Sequence, residues 1–400
     1  MFLLSPFTIF AHMSKIRLLI ILIAAALTFQ SCRDKNEPET PAERTLIMYF
    51  PWSTDLTSYF ENNIDDMKEA IARNGLDNQR VIVYFADSPY SARLFKINAD
   101  GSETALKSYT GISMTEAGNI ASMLGDIANA APANRYSMII GCHGSGWLPV
   151  IESGRARTTT PGRKYHWDAQ GATPTRFFGG RTAEYQTEIS TLREGIEDSG
   201  LKMEYILFDD CYMSNVEVAY ELRNVTGHLI ASTSEIMVYG MPYDIIGGYL
   251  LGEPDYERIC SGFYDFYSSY STPCGSIAVT DCSQMEALAE VMREINSRYT
   301  FDTSKRGLLQ ILDGYSPTIF FDMESYAVNL CDDPELIGKF NRQMQLSVIA
   351  KACTPTVYTA LQNREIEVET FSGLTISDPT ANTEMTGGKL TEKAWYKATH

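Results

Sequence analysis

From residue 45 onward, short unbroken apolar runs alternate with segments in which apolar positions recur every three or four residues. That alternation predicts α/β layers around a mostly parallel sheet. Residues 45–50, 80–87, 136–141, 204–209, 228–232 and 275–280 read as six strands. Between the first two, Ile64, Met67 and Ile71 fall on one helical face and Asn74-Gly75 supplies a stop. Ile120, Leu124 and Ile127 do the same between the second and third, and residues 92–98 read as a short antiparallel addition. After the sixth strand, Ser283-Gln284-Met285-Glu286 has the form of a capping box, opening a helix with Met285, Leu288, Met292 and Ile295 inward.

Two stretches break the rhythm. Near the amino end, Lys15 and Arg17 precede an apolar run from Leu18 to Phe29, shorter than the roughly 20 residues a spanning helix needs. It reads as a signal-peptide core. The run ends at Phe29-Gln30-Ser31-Cys32 and turns polar at Arg33, which resembles a bacterial lipoprotein signal in which Cys32 is lipidated. The expected organisation is a signal peptide over 1–31 and a lipidated tether over 32–43. The main α/β unit follows over 44–250, and 251–400 carry the rest of the sheet and a C-terminal α+β extension. Such a protein is exported and held by its lipid at the outer membrane or cell surface of a Gram-negative bacterium. The second break, residues 152–185, is rich in Thr, Gly, Arg and Pro, and a long non-periodic insertion of this kind reads as a functional or mobile loop.

Composition narrows the function classes. At 44% hydrophobic and 21% charged residues, the chain has the balance of one that buries a large core. Its 33 basic against 50 acidic side chains, net −17, argue against a nucleic-acid partner and favour a cationic one. Seven cysteines lie beyond Cys32, an odd number that leaves at least one thiol unpaired within a single chain. Cys260, Cys274, Cys282, Cys331 and Cys353 are open to disulfide pairing. No Cys-x-x-Cys occurs, and beyond the signal only His143, His166, His228 and His400 remain as imidazoles, so no zinc site is expected.

The candidate chemistry sits where two strands end. One strand leads through Gly141-Cys142 into His143-Gly144-Ser145-Gly146-Trp147, the other through Asp209-Asp210 into Cys211. In open α/β sheets the active crevice lies outside the carboxyl ends of the strands, so this histidine and cysteine can meet there. A thiolate is the attacking species and an adjacent imidazole activates it. The glycines beside His143 leave room for a substrate, and the Gly144 N–H can face a developing oxyanion. Met213, Val216 and Tyr220 have helical spacing, which predicts Cys211 at a helix amino end. Strand alternation sends Cys142 to packing, puts Asp209 on the face of Cys211 and turns Asp210 away.

Ile139 to Trp147, Leu207 to Leu222 and Ala231-Ser232-Thr233-Ser234-Glu235 together resemble the clostripain family of cysteine peptidases, over about residues 45–243. The resemblance implies a caspase-like α/β/α sandwich with a six-stranded sheet. It also implies an endopeptidase cutting after Arg or Lys, with His143 as general base and acid and Cys211 as nucleophile forming an acyl-enzyme. Asp209 falls on the family's acid that holds the basic side chain, and residues 232–235 line the same cleft. Relatives often mature by cutting themselves between histidine and cysteine, where this chain carries Arg155, Arg157, Arg163 and Lys164. Calcium dependence is known for the founding member, but no EF-hand-like loop occurs here, and no metal ligand is assigned. Two other readings stay open: an inactive surface lipoprotein using the fold to bind, and a transferase in which another amine accepts the acyl group.

Overall fold

The computed structural model describes residues 40–53, 55–150, 183–380 and 386–400. The signal segment, Cys32, and Arg155, Arg157, Arg163 and Lys164 lie outside the described residues. The expected loop re-enters them as a single 3-10 turn at Ala183–Tyr185.

All six expected strands are present: β1 (Ala42–Phe50), β2 (Gln79–Ser88), β5 (Ala133–Gly141), β6 (Met203–Asp209), β7 (Thr226–Ala231) and β8 (Ser276–Asp281). With β3 (Ser91–Ile97), β4 (Glu103–Thr110) and β10 (Val348–Cys353), they form a nine-stranded sheet in the order β10-β8-β7-β6-β5-β1-β2-β3-β4, and the two-residue strand β9 (Phe321–Asp322) lies outside it. The five central strands are parallel, while β3 and β4 on one side and β8 and β10 on the other run antiparallel. The sheet thus exceeds the expected six strands at both edges. The added edges lack unbroken apolar runs: β4 buries only Tyr109, and β10 mixes Lys351 with its apolar residues.

Helices cover the sheet as the periodicity predicts. Helix α1 (Thr57–Asn74) buries Ile64, Met67 and Ile71, and α2 (Ala117–Ala130) buries Ile120, Leu124 and Ile127. They are followed by α3 (Ile189–Asp198), α4 (Val216–Leu222), α5 (Tyr243–Leu250), α6 (Tyr256–Ser268) and α7 (Met285–Asn296). Helix α7 turns Met285, Leu288, Met292 and Ile295 inward as expected, but its capping box is not formed. Instead Asp281 accepts from the Ser283 N–H and opens a 3-10 turn that runs into the helix. Among the described residues no helix is long and apolar enough to cross a membrane, and no two of the seven cysteines are joined by a disulfide.

Residues Pro41–His400 pack as one unit, and the C-terminal part buttresses the strand ends. The Thr375 N–H donates to the Ser214 carbonyl (3.0 Å), and the Trp147 indole N–H donates to the Ser377 hydroxyl (2.8 Å). Glu217, at the start of α4, accepts from the Ser377 N–H (2.9 Å), while its Oε2 has no hydrogen-bond partner among the described residues. Burial pushes the Glu217 carboxyl from an ordinary 4.5 up to about 8. Since the folded value is the higher one, the protonated acid's contribution is fully present below about pH 4.5 and is lost as pH rises through about 8. Glu217→Gln, which mimics the protonated form, should therefore gain thermal stability over the wild type between pH 5 and pH 9, by up to a few kcal/mol. Melting curves at the two pH values check this; a constant gap between the proteins contradicts it.

Candidate active site

Strands β5 and β6 are parallel neighbours, and their register pairs Gly141 with Asp209. His143 lies two residues beyond Gly141 and Cys211 two residues beyond Asp209, so both leave the sheet at the same level on adjacent strands. The loops then touch. A Cβ on Gly144 would fall 2.4 Å from the Cys211 carbonyl oxygen and 2.8 Å from its nitrogen, so only glycine permits this approach. Gly146 has φ +61 and would meet Phe320 and Asn215. It permits both the left-handed turn and the close packing that direct Trp147 inward.

Asp210 fastens the two loops together. Its carboxylate accepts from the Cys142 N–H (2.6 Å) and faces the Cys142 thiol (3.6 Å). Alternation thus turns Asp210 and Cys142 toward each other, away from the side that carries Cys211.

On that other side, one connection between β7 and α5 meets both Asp209 and Cys211. The Ile236 N–H donates to the Cys211 Sγ (3.1 Å). The Met241 N–H (2.9 Å) and the Tyr243 hydroxyl (3.0 Å) donate to the two oxygens of Asp209. Asp209 and Cys211 share a face, as expected, and both are fully buried.

The expected helix at Cys211 begins later. Tyr212 adopts a left-handed conformation (φ 62), and α4 starts only at Val216, where the Asn215 side chain caps the Val218 N–H. Residues 213, 216 and 220 keep helical spacing, but the chain first makes a turn, so no helix dipole acts on Cys211. The strained Tyr212 is held from three directions. Its hydroxyl donates to Glu235 (2.7 Å), its N–H donates to the Ser234 carbonyl, and its ring stacks on Phe320 at 5.2 Å. Residues 232–235, expected along the cleft, are buried like Cys211 itself, and they brace this turn. Ser232, Thr233 and Ser234 bond to the Ser276 hydroxyl, and Glu235 accepts the Ala360 N–H.

Sequence reasoning missed Asp55. It lies five residues past the end of β1, the strand beside β5, and its Oδ1 is 2.8 Å from the His143 Nε2. The histidine ring is almost fully buried, whereas 52% of the Asp55 side chain is exposed. An acid following the strand next to the histidine strand is the signal, but it is readable only once strand order is known. Among the described residues no group of three or more His, Cys, Asp or Glu is placed to hold a metal ion.

This arrangement can do acyl-transfer chemistry: a thiol and an imidazole on touching loops, an acid on the imidazole, and a second buried carboxylate beside the thiol. Comparison with known proteins agrees. The model of the clostripain family, Peptidase_C11, matches residues 48–362. A secreted C11 cysteine protease from Bacteroides thetaiotaomicron, "iotapain", is 48% identical over 90% of this chain and all of its own, with a TM-score of 0.82. A clostripain from the same species, crystallised with the peptide inhibitor BTN-VLTK-AOMK, is 56% identical over 56% of this chain and 99% of its own, with a TM-score of 0.54. An inactive zymogen C11 protease from Parabacteroides distasonis is 27% identical over 90% of this chain and 99% of its own, with a TM-score of 0.74. No curated protein matches. The likeness in structure establishes the fold as the caspase-like α/β type.

Proposed function

The chain belongs to the clostripain family of cysteine proteases, and from that premise we propose that it cleaves peptide bonds after arginine or lysine through Cys211 and His143. The register that sets His143 level with Cys211, with Gly144 against the Cys211 backbone, carries this reading.

With Nε2 directed at Asp55, the imidazole is oriented and its Nδ1 is left as the basic nitrogen. His143 takes the Cys211 proton, and the thiolate attacks the carbonyl carbon. The Gly144 N–H stabilises the oxyanion, and the protonated imidazole delivers its proton to the departing amine. Water, deprotonated by the same imidazole, then releases the acyl group and restores the thiol. Asp209 supplies the negative charge for the guanidinium or ammonium of the residue before the cut. The lysine closing the VLTK sequence bound to the related clostripain supports a basic residue at that position.

Cys211 and Asp209 are fully buried and bonded to residues 236, 241 and 243, so their surroundings have to shift before a peptide reaches them. Self-cleavage at Arg157, Arg155 or Arg163 within 152–185 supplies a route to such a shift. A protein with Arg155, Arg157, Arg163 and Lys164 all changed to alanine should stay intact on a gel while the wild type splits; splitting of this variant within the loop refutes the assignment. Export and a lipid anchor on Cys32 complete the proposal, in line with the secreted relative. The substrate is then a protein or peptide met outside the cytoplasm.

Asp55 is the orienting acid in this reading. Asp55→Ala is expected to lower kcat about 10- to 100-fold. The loss falls short of the roughly 10⁴-fold cost of changing a buried triad aspartate, because half of the Asp55 side chain faces water. Steady-state kinetics on an Arg peptide measure it, and an unchanged kcat rules the role out.

A further inference from the structure

Beyond His143, on the side away from Cys211, the same sheet edge carries a second concavity. It has a volume of about 260 Å³ and is lined by Trp52, Tyr84, Tyr109, Ile112, Met114 and Tyr185. Tyr84, Tyr109 and Met114 are buried in its floor, and the Tyr84 and Tyr109 rings lie 5.4 Å apart. At its rim Tyr90 is 70% and Ile112 39% exposed. The cavity is smaller than the roughly 300–1,000 Å³ that takes a whole small molecule, and its size suits one or two side chains.

We propose that this pocket is a substrate subsite that takes an aromatic or large aliphatic side chain at the second or third residue after the cut. The inference rests on the reading of Cys211 and His143 as the peptidase dyad.

Position identifies the occupant. Across the carboxyl edge of the sheet the order is β6 with Cys211, β5 with His143, β1 with Asp55, then β2. Asp209 and its partners Met241 and Tyr243 hold the basic side chain at the cysteine end of that line. The imidazole must protonate the departing amine, so the leaving chain passes over His143 toward β1. Trp52, which lines the pocket, lies three residues before Asp55 in the loop that follows β1. Strands are spaced about 4.8 Å apart, so β2 is about 10 Å from β5, and an extended peptide advances about 3.3 Å per residue. Two or three residues past the scissile bond therefore reach the pocket. Of the ionisable acids and bases only Glu184 lines it, beside serine and threonine hydroxyls. Such a wall rewards burial of an apolar side chain and gives an anionic one no cationic partner.

The test uses internally quenched peptides that are identical up to an Arg before the cut and carry Phe, Leu, Gly or Asp at the second and third positions after it. Alongside them runs an Arg peptide whose leaving group is a small fluorophore. The wild type should prefer Phe or Leu to Gly and Asp at one of these positions by about tenfold in kcat/KM. In Trp52→Ala and in Ile112→Asp, which changes an exposed rim residue, that ratio should fall to within about twofold. Turnover of the fluorophore peptide without discrimination at either position overturns the subsite and leaves the dyad reading standing. So does discrimination that survives both substitutions. No turnover of any Arg peptide overturns the dyad reading, and the subsite with it.

Discussion

Cys211→Ala should lose peptide hydrolysis by at least about 10³-fold, and removing His143 as well should cost nothing further. Residues that act as one unit fail together, so the single and double losses should coincide rather than multiply. The thiol supplies the bond to the substrate, and without it the imidazole has no proton to take. Folding is a separate matter. Cys211 is fully buried, its sulfur accepts from the Ile236 N–H and its thiol donates to the Ile236 carbonyl (3.7 Å), so truncation costs about 1–3 kcal/mol. Thermal melts of the variant alongside its kinetics separate the two effects. A double variant much slower than either single one contradicts the pairing.

Asp209→Asn tests specificity with almost no change of shape. The asparagine oxygen still accepts the Met241 N–H, and its amide can donate to the Tyr243 hydroxyl, so the connection above it should stay in place. What disappears is the carboxylate proposed to meet the substrate's basic side chain. Losing one partner of a buried charge pair costs on the order of 2–5 kcal/mol. Turnover of Arg and Lys peptides should therefore fall about 10²- to 10³-fold, mostly in kcat/KM. Peptides with an uncharged residue before the cut should change little, and an equal loss on both classes contradicts the assignment.

How much of this was legible depends on whether the signal was local. The six sheet strands are unbroken apolar runs because helices cover the sheet on both faces, and helices α1, α2 and α7 declare themselves by one buried stripe each. Strand β4 escapes because it is an edge with a single buried side chain. His143 and Cys211 are legible as neighbours because strand ends in such sheets converge, and the alternation of Asp209, Asp210 and Cys211 follows from the period of two.

The rest is set by contacts far apart in sequence. The left-handed Tyr212 depends on Glu235 and Phe320, and it displaces the helix start that spacing alone placed at Cys211. Asp55 finds His143 only because β1 inserts beside β5. Ser232 to Glu235 sit beside the cysteine turn, and their bracing bonds to Tyr212, Ser276 and Ala360 depend on partners distant in sequence.

The most direct measurement takes the soluble form beginning at Arg33, alongside its Cys211→Ala variant. Both are incubated with matched fluorogenic peptides ending in Arg, Lys, Asp or Leu while the protein itself is followed on a gel. The account predicts turnover of the Arg or Lys peptides by the wild type, little of the Asp and Leu peptides, and none by the variant. Hydrolysis that persists in Cys211→Ala, or an enzyme that prefers Asp or Leu, contradicts it.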